Sequence, residues 1–170
     1  MNTDQNIDLD NIEEISPSEE NGSGETDINL DEELKSNIIK DSGKGLTVFV
    51  VDDDNFLLEM YAKKFKNSGF EIITSNGGED TLAKIKEGAN PDIFVFDLVM
   101  PQMDGLELIQ NIHKENLIPK ATKIVLSNQG QQTDINKAEE IGVDGYIVKA
   151  LHTPSEIVEI VINTHKEKNK

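Results

Sequence analysis

The sequence contains no cysteine. Disulfides and thiolate metal sites are thereby excluded, and a reducing cytoplasm is the compartment that such a composition fits. Long hydrophobic runs are also missing. Stretches such as 46–51 fall far short of the roughly 20 apolar residues needed to span a bilayer. The first ten residues are acidic and have no apolar core, so they do not read as a secretory leader. No basic stripe offsets a formal net charge of −17. An acidic surface repels nucleic acid, so neither nucleic acid nor membrane is an expected partner.

The charge is unevenly spread. Residues 1–43 hold 13 acids and 2 lysines, and residues 44–170 hold 20 acids and 14 bases. The first 43 residues also lack any aromatic side chain. Such a segment buries too little apolar surface to offset its ordering entropy, and it reads as an acidic, disordered tail. Within it, Leu30, Leu34 and Ile38 recur at helical spacing, and 6–15 loosely echoes 27–38 as an acidic and aliphatic pattern. A solvating linker is the first reading of this tail, and a short partner-binding motif is the second.

From Leu46 onward the pattern changes. Short apolar blocks at 46–51, 70–74, 93–96, 123–126 and 146–148 read as five strands, most of them continuous, as expected when both faces are covered. Amphipathic stretches lie between them: 55–67, with Phe56, Leu57, Met60, Tyr61 and Phe65 on one side, then 79–86, 105–114 and 134–141. A fifth, 154–166, follows the last strand. Its start is marked by Thr153 as N-cap, Pro154 at the first helical position and Glu156 at the capping-box position. Alternating strands and helices imply right-handed crossovers and a doubly wound α/β domain, a five-stranded parallel sheet with five helices over residues 44–170. Ligands of such sheets bind beyond the carboxyl ends of the strands, where the strand order reverses.

Chemistry-bearing residues collect there. The first strand runs into Asp52, Asp53 and Asp54, the third ends at Asp97, the fourth at Ser127 and the fifth at Lys149. Each alone could be a turn or cap residue, and Asp54 reads as a cap for the first helix. Together they are a site. Carboxylates gathered from neighbouring strands repel one another unless a cation sits among them, and hard oxygen ligands suit Mg²⁺. A lysine opposite adds a second positive point for an anion. A carboxylate framed by a metal, a lysine and a hydroxyl can take a phosphoryl group, which makes Asp97 the candidate nucleophile.

The blocks VFVVDDD (48–54), IFVFDLVMPQMDG (93–105), KIVLSN (123–128) and GYIVK (145–149) resemble the signature segments of the receiver domains of two-component response regulators, chemotaxis regulators among them. The spacings agree as well: 44 residues from Asp53 to Asp97, 30 from Asp97 to Ser127 and 52 from Asp97 to Lys149. The resemblance covers about 46–166 and implies a flavodoxin-like fold with strand order 2-1-3-4-5. It implies that Asp53 ligates Mg²⁺ directly, with Asp52 assisting and the Val99 backbone carbonyl completing the protein ligands. Asp97 would be phosphorylated by a sensor histidine kinase or a phosphotransfer protein, and Lys149 would pair with a phosphoryl oxygen. Ser127 would swing toward that group and Tyr146 would turn inward behind it. Pro101, Asp104 and Gly105 would shape the following loop, with Asp104 capping the third helix.

One position departs from the family pattern. Ala150 follows Lys149 where receivers usually carry a cis proline, so a trans bond is expected here.

Other signals are set aside. The SGKG segment at 42–45 lacks phosphate-loop spacing and precedes a strand instead of following one. Asn21-Gly22-Ser23 matches a glycosylation sequon, but nothing directs the chain to a secretory compartment. His113, His152 and His165 share no metal-ligand spacing and read as surface or helix-end residues. Val99 occupies the place where a haloacid-dehalogenase-type phosphatase needs its second aspartate.

The functional expectation is a stand-alone phosphorylation switch that acts through a separate downstream protein. It would catalyse only its own phosphoryl transfer and dephosphorylation. A phosphorylation-independent docking scaffold is the alternative.

Overall fold

The computed structural model describes residues 42–170. The expectations for the acidic segment, including the Leu30, Leu34 and Ile38 spacing, lie outside these residues. Five parallel strands, β1 (Thr47–Val51), β2 (Glu71–Ser75), β3 (Ile93–Phe96), β4 (Thr122–Ser127) and β5 (Gly145–Val148), form one sheet in the order β2-β1-β3-β4-β5. The helices are α1 (Asn55–Asn67), α2 (Gly78–Lys86), α3 (Gly105–Lys114), α4 (Gln132–Ile141) and α5 (Pro154–Lys168). A 3-10 turn, Lys149–Leu151, precedes α5.

The side-chain period of two splits each central strand between two apolar layers. Val48 and Val50 of β1, Ile93 and Val95 of β3, and Ile124 and Leu126 of β4 face α1 and α5. Phe49, Val51, Phe94, Phe96 and Val125 face α2, α3 and α4. Phe94 meets Phe49 edge-to-face at 5.7 Å and stacks on Phe96 at 5.1 Å, so one aromatic column fills the second layer.

The buried stripe of α1 is Leu58, Tyr61 and Phe65. Phe56, expected on that stripe, is 75% exposed instead. At 100° per residue it stands about 200° from Leu58 and points to solvent. By contrast, α4 is fastened weakly: Ala138 is its one buried residue, and no side chain caps its start. Three helix starts do carry side-chain caps. Asp54 accepts from the Phe56 and Leu57 amides and Asp104 from the Glu107 amide, as the sequence implies. Thr153 and Glu156 close a reciprocal capping box.

The segment 42–45 is a turn that packs. The Gly43 amide donates to the Ser68 carbonyl at 3.0 Å. A Cβ on Gly43 would sit 2.2 Å from the Phe70 ring. Gly43 is thus packed against the connection between α1 and β2. At the opposite end of β4, Lys123 is buried to 5% exposure, and its ammonium donates to the Ile118 and Ala121 carbonyls. His165 lies in the last turn of α5, one of the helix ends expected for it, and is half-buried there with its Nδ1 2.8 Å from the Thr122 hydroxyl.

Gly105 is a close-approach glycine. A Cβ there would lie 2.2 Å from the Asp97 carbonyl oxygen and 2.8 Å from the Leu98 Cα, both backbone atoms that cannot turn aside. Gly105→Ala is expected to cost about 3 kcal/mol, the upper part of the usual overpacking range. Gly77→Ala, with nothing within 4 Å of its Cβ position, should stay within about 0.5 kcal/mol of the parent. Urea midpoints of the two variants check this, and equal midpoints would contradict it.

Candidate functional site

The carboxyl ends of β1 and β3 are neighbours at the centre of the sheet, and β5 is two strands beyond β3. Strands are about 4.8 Å apart, so a group on β5 reaches the centre only on a long side chain. Lys149 does this. Its ammonium donates to Asp97 Oδ2 at 2.7 Å and to Asp52 Oδ2 at 2.5 Å, bridging two carboxylates across the intervening strand. All three side chains are at least nine-tenths buried.

The remaining carboxylate oxygens are oriented by the local backbone. Asp52 Oδ1 accepts from the Asp54 amide at 3.0 Å, and Asp97 Oδ1 accepts from the Val99 amide at 3.1 Å. Asp53 is exposed beside them. Carboxylate oxygens of Asp52, Asp53 and Asp97 all lie within 4.8 Å of one another. One ammonium faces three carboxylates, which leaves two negative charges in excess. Burial pushes the Asp52 carboxyl above the ordinary carboxylate range, against the pull of Lys149. Burial also opposes the Lys149 charge, but its hydrogen bonds to Asp52 and Asp97 outweigh that and hold it above the ordinary lysine value.

Ser127 ends β4 fully buried, and its hydroxyl accepts from the Gln129 amide at 3.4 Å. Tyr146, in β5, donates its hydroxyl hydrogen to the Gln129 carbonyl at 2.7 Å. Val99 is 54% exposed at the mouth of the site. Among the described residues no peptide bond is cis, so the Lys149–Ala150 bond is trans as expected.

Asp52, Asp97 and Lys149 are therefore in direct contact with Asp53 beside them, Val99 and Ser127 stand at the carboxyl ends of β3 and β4, and Tyr146 lies within β5 and reaches Gln129. The structure adds two residues. Gln129 joins Ser127 to Tyr146 through its amide and carbonyl, a role no side-chain pattern signals. Ser75 supplies a polar group at the end of β2: its backbone carbonyl accepts from the Asp52 amide, while its hydroxyl turns away to Asp80 at 2.7 Å. Its place at the end of an apolar block was the available signal. His113 and His152 lie at the surface, away from these carboxylates.

A net-negative cluster of hard oxygen donors, part buried and part open to solvent, fits a small divalent cation such as Mg²⁺. Among the described residues no helix is long and apolar enough to cross a membrane.

Residues 48–162 match the response regulator receiver domain. The chain is 34% identical over 123 residues to the chemotaxis protein CheY of Thermotoga maritima, covering 72% of this chain and 99% of that protein. It is 28% identical to the alkaline phosphatase synthesis transcriptional regulatory protein PhoP of Bacillus subtilis, but spans only 44% of that protein. Among solved structures, it is similar to a CheY-like receiver domain protein from Methanospirillum hungatei, with 26% identity and a TM-score of 0.66. That match covers 73% of this chain and 96% of that one.

Proposed function

Since this chain belongs to the family of response regulator receiver domains, we propose that it accepts a phosphoryl group on Asp97 and signals through altered protein contacts. The observation that carries the reading is the Lys149 ammonium held between Asp52 and Asp97. It places a fixed positive charge where phosphoryl oxygens would arrive, and it spares the site that reorganisation during transfer.

An oxygen of the Asp97 carboxylate attacks phosphorus. The bond from phosphorus to the donor's histidine nitrogen breaks, and that nitrogen keeps the electron pair. Asp53 and Asp52, with Asp97 and the Val99 carbonyl, are the residues that would hold Mg²⁺, which when bound neutralises phosphoryl charge. Lys149 then pairs with a phosphoryl oxygen, Ser127 donates its hydroxyl hydrogen to another, and Tyr146 leaves the Gln129 carbonyl to fill the space behind Ser127. The donor is a sensor histidine kinase or phosphotransfer protein. Phe56 in the first turn of α1, Val99 just after β3 and Leu151 in the 3-10 turn that begins at Lys149 are exposed by 75%, 54% and 73%. Each is an exposed apolar side chain close in sequence to a residue of the site, available to such a partner.

Acetyl phosphate with Mg²⁺ should label the full chain at one peptide, the one containing Asp97. A phosphorylation-independent scaffold would take no label. In parallel, millimolar Mg²⁺ should raise the melting temperature of the unlabelled chain by mass action, and Asp53→Asn should remove most of the rise. Because burial lifts the Asp52 pKa, protons compete with the cation there. The Mg²⁺ effect should therefore shrink on acidification from a pH above the ordinary carboxylate range. Equal melting shifts in the parent and Asp53→Asn would contradict the metal assignment.

A further inference from the structure

Beside the acidic cluster lies a groove of about 260 Å³ between the loop that follows β3 and the start of α4. Its floor is apolar, with Leu98 buried and Leu106 half-buried. Two carboxylates, Asp104 and Asp134, also line it, and none of its lining residues is a base. Asp104 spends one oxygen on capping α3, and Asp134 stands in the first turn of α4. A groove with an apolar floor, two acids and no cation selects a side chain that is aliphatic along its stem and positive at its tip.

Two walls of this groove also belong to the phosphoryl site. Val99, whose amide holds Asp97 Oδ1, forms one. Gln129, whose amide reaches Ser127 and whose carbonyl holds Tyr146, forms the other. Movement of Tyr146 away from the Gln129 carbonyl would release that second wall. An occupant of the groove and a group on Asp97 would therefore share the same two segments, and each must influence the other's affinity by the same factor.

We propose that this groove receives an arginine or lysine, flanked by aliphatic residues, from the partner protein, and that its occupancy is coupled to the phosphorylation state of Asp97. The coupling rests on the acceptor reading above; the docking does not. The chain's own acidic N-terminal segment is excluded as the occupant by charge, since 13 of its 43 residues are acidic against 2 lysines.

The test is a nuclear magnetic resonance titration of the ¹⁵N-labelled full chain with acetyl-Leu-Arg-Leu-amide and, separately, with acetyl-Leu-Glu-Leu-amide. The cationic peptide should produce saturable shifts at the amides of Val99, Leu106 and Gln129, and the acidic one should not. Asp134→Asn should weaken the cationic peptide about five-fold, the scale of one partly exposed charge contact. Shifts confined to residues 1–41, or equal binding of both peptides, would overturn the docking site. Adding acetyl phosphate and Mg²⁺ should then change the affinity several-fold in the parent chain and leave Asp97→Asn unaltered. Labelling without an affinity change overturns the coupling alone. Groove binding with no labelling at all overturns the coupling together with the acceptor reading, and it leaves the docking site supported.

Discussion

Asp97→Asn should bring phosphate incorporation from acetyl phosphate down to background while leaving the fold within about 1 kcal/mol of the parent. The loss follows from chemistry: a neutral amide has no anionic oxygen to attack phosphorus. The preserved stability follows from charge counting within the site. Three carboxylates share one ammonium, so removing a carboxylate lowers the excess negative charge and keeps the Asp52–Lys149 pair intact. The asparagine oxygen can still face the ammonium. Phosphate determination and a urea melt on the same preparation check both halves. Among the described residues, the other carboxylates of this cluster are Asp52 and Asp53. Near-parental labelling at either of them would remove Asp97 from the role of nucleophile.

Lys149→Met should be the most destabilising single change at the site, at about 3–5 kcal/mol, the range for stripping a buried charge of its partner. In a domain of this size that lowers the melting temperature by about 10 °C or more. Methionine keeps the length of the stem but leaves Asp52 and Asp97 facing each other, both nearly inaccessible to solvent. The pH dependence carries a definite sign. The pKa of Lys149 is raised in the folded state, so its contribution is fully present below the ordinary lysine value and is lost as pH rises through the higher, folded one. The gap between parent and variant should therefore be wide at pH 7 and narrow in strong alkali. Adding Asp97→Asn to Lys149→Met should recover part of the loss, because the residual repulsion needs both carboxylates. Strictly additive effects in this double-mutant cycle would show that the three groups act independently.

Much of this arrangement was legible in the chain. Continuous apolar blocks such as 93–96 read as strands covered on both faces, and four of the five run into a polar or charged residue with the chemistry of a site. The residue-level errors have physical sources. Apolar residues crowd the start of α1 and draw Phe56 onto its buried side, yet the phase of the helix is set by Leu58, Tyr61 and Phe65. Inside the apolar block of β4, Lys123 gives no sign that its ammonium will be buried, since the carbonyls that satisfy it come from a turn whose path is a tertiary matter. The Lys149 bridge follows from strand order: the sequence supplies a lysine after the fifth strand, but which carboxylates it spans depends on β4 lying between. Gln129 acts through backbone atoms, which side-chain chemistry cannot announce.

The poor fastening of α4 sets where this domain opens first. Amide exchange in a folded protein proceeds through local openings whose cost follows the apolar contact that each one breaks. Opening β1 or β3 breaks both layers, whereas lifting α4 exposes one fully buried residue, Ala138, and the half-buried Ile141. Its amides should therefore exchange fastest among the five helices. The helix that begins just past Ser127 and Gln129 is also the one whose displacement disturbs the least of the interior. On the proposed function, one new bond at Asp97 would need to supply little free energy to move it, since the contacts that hold the sheet together stay intact.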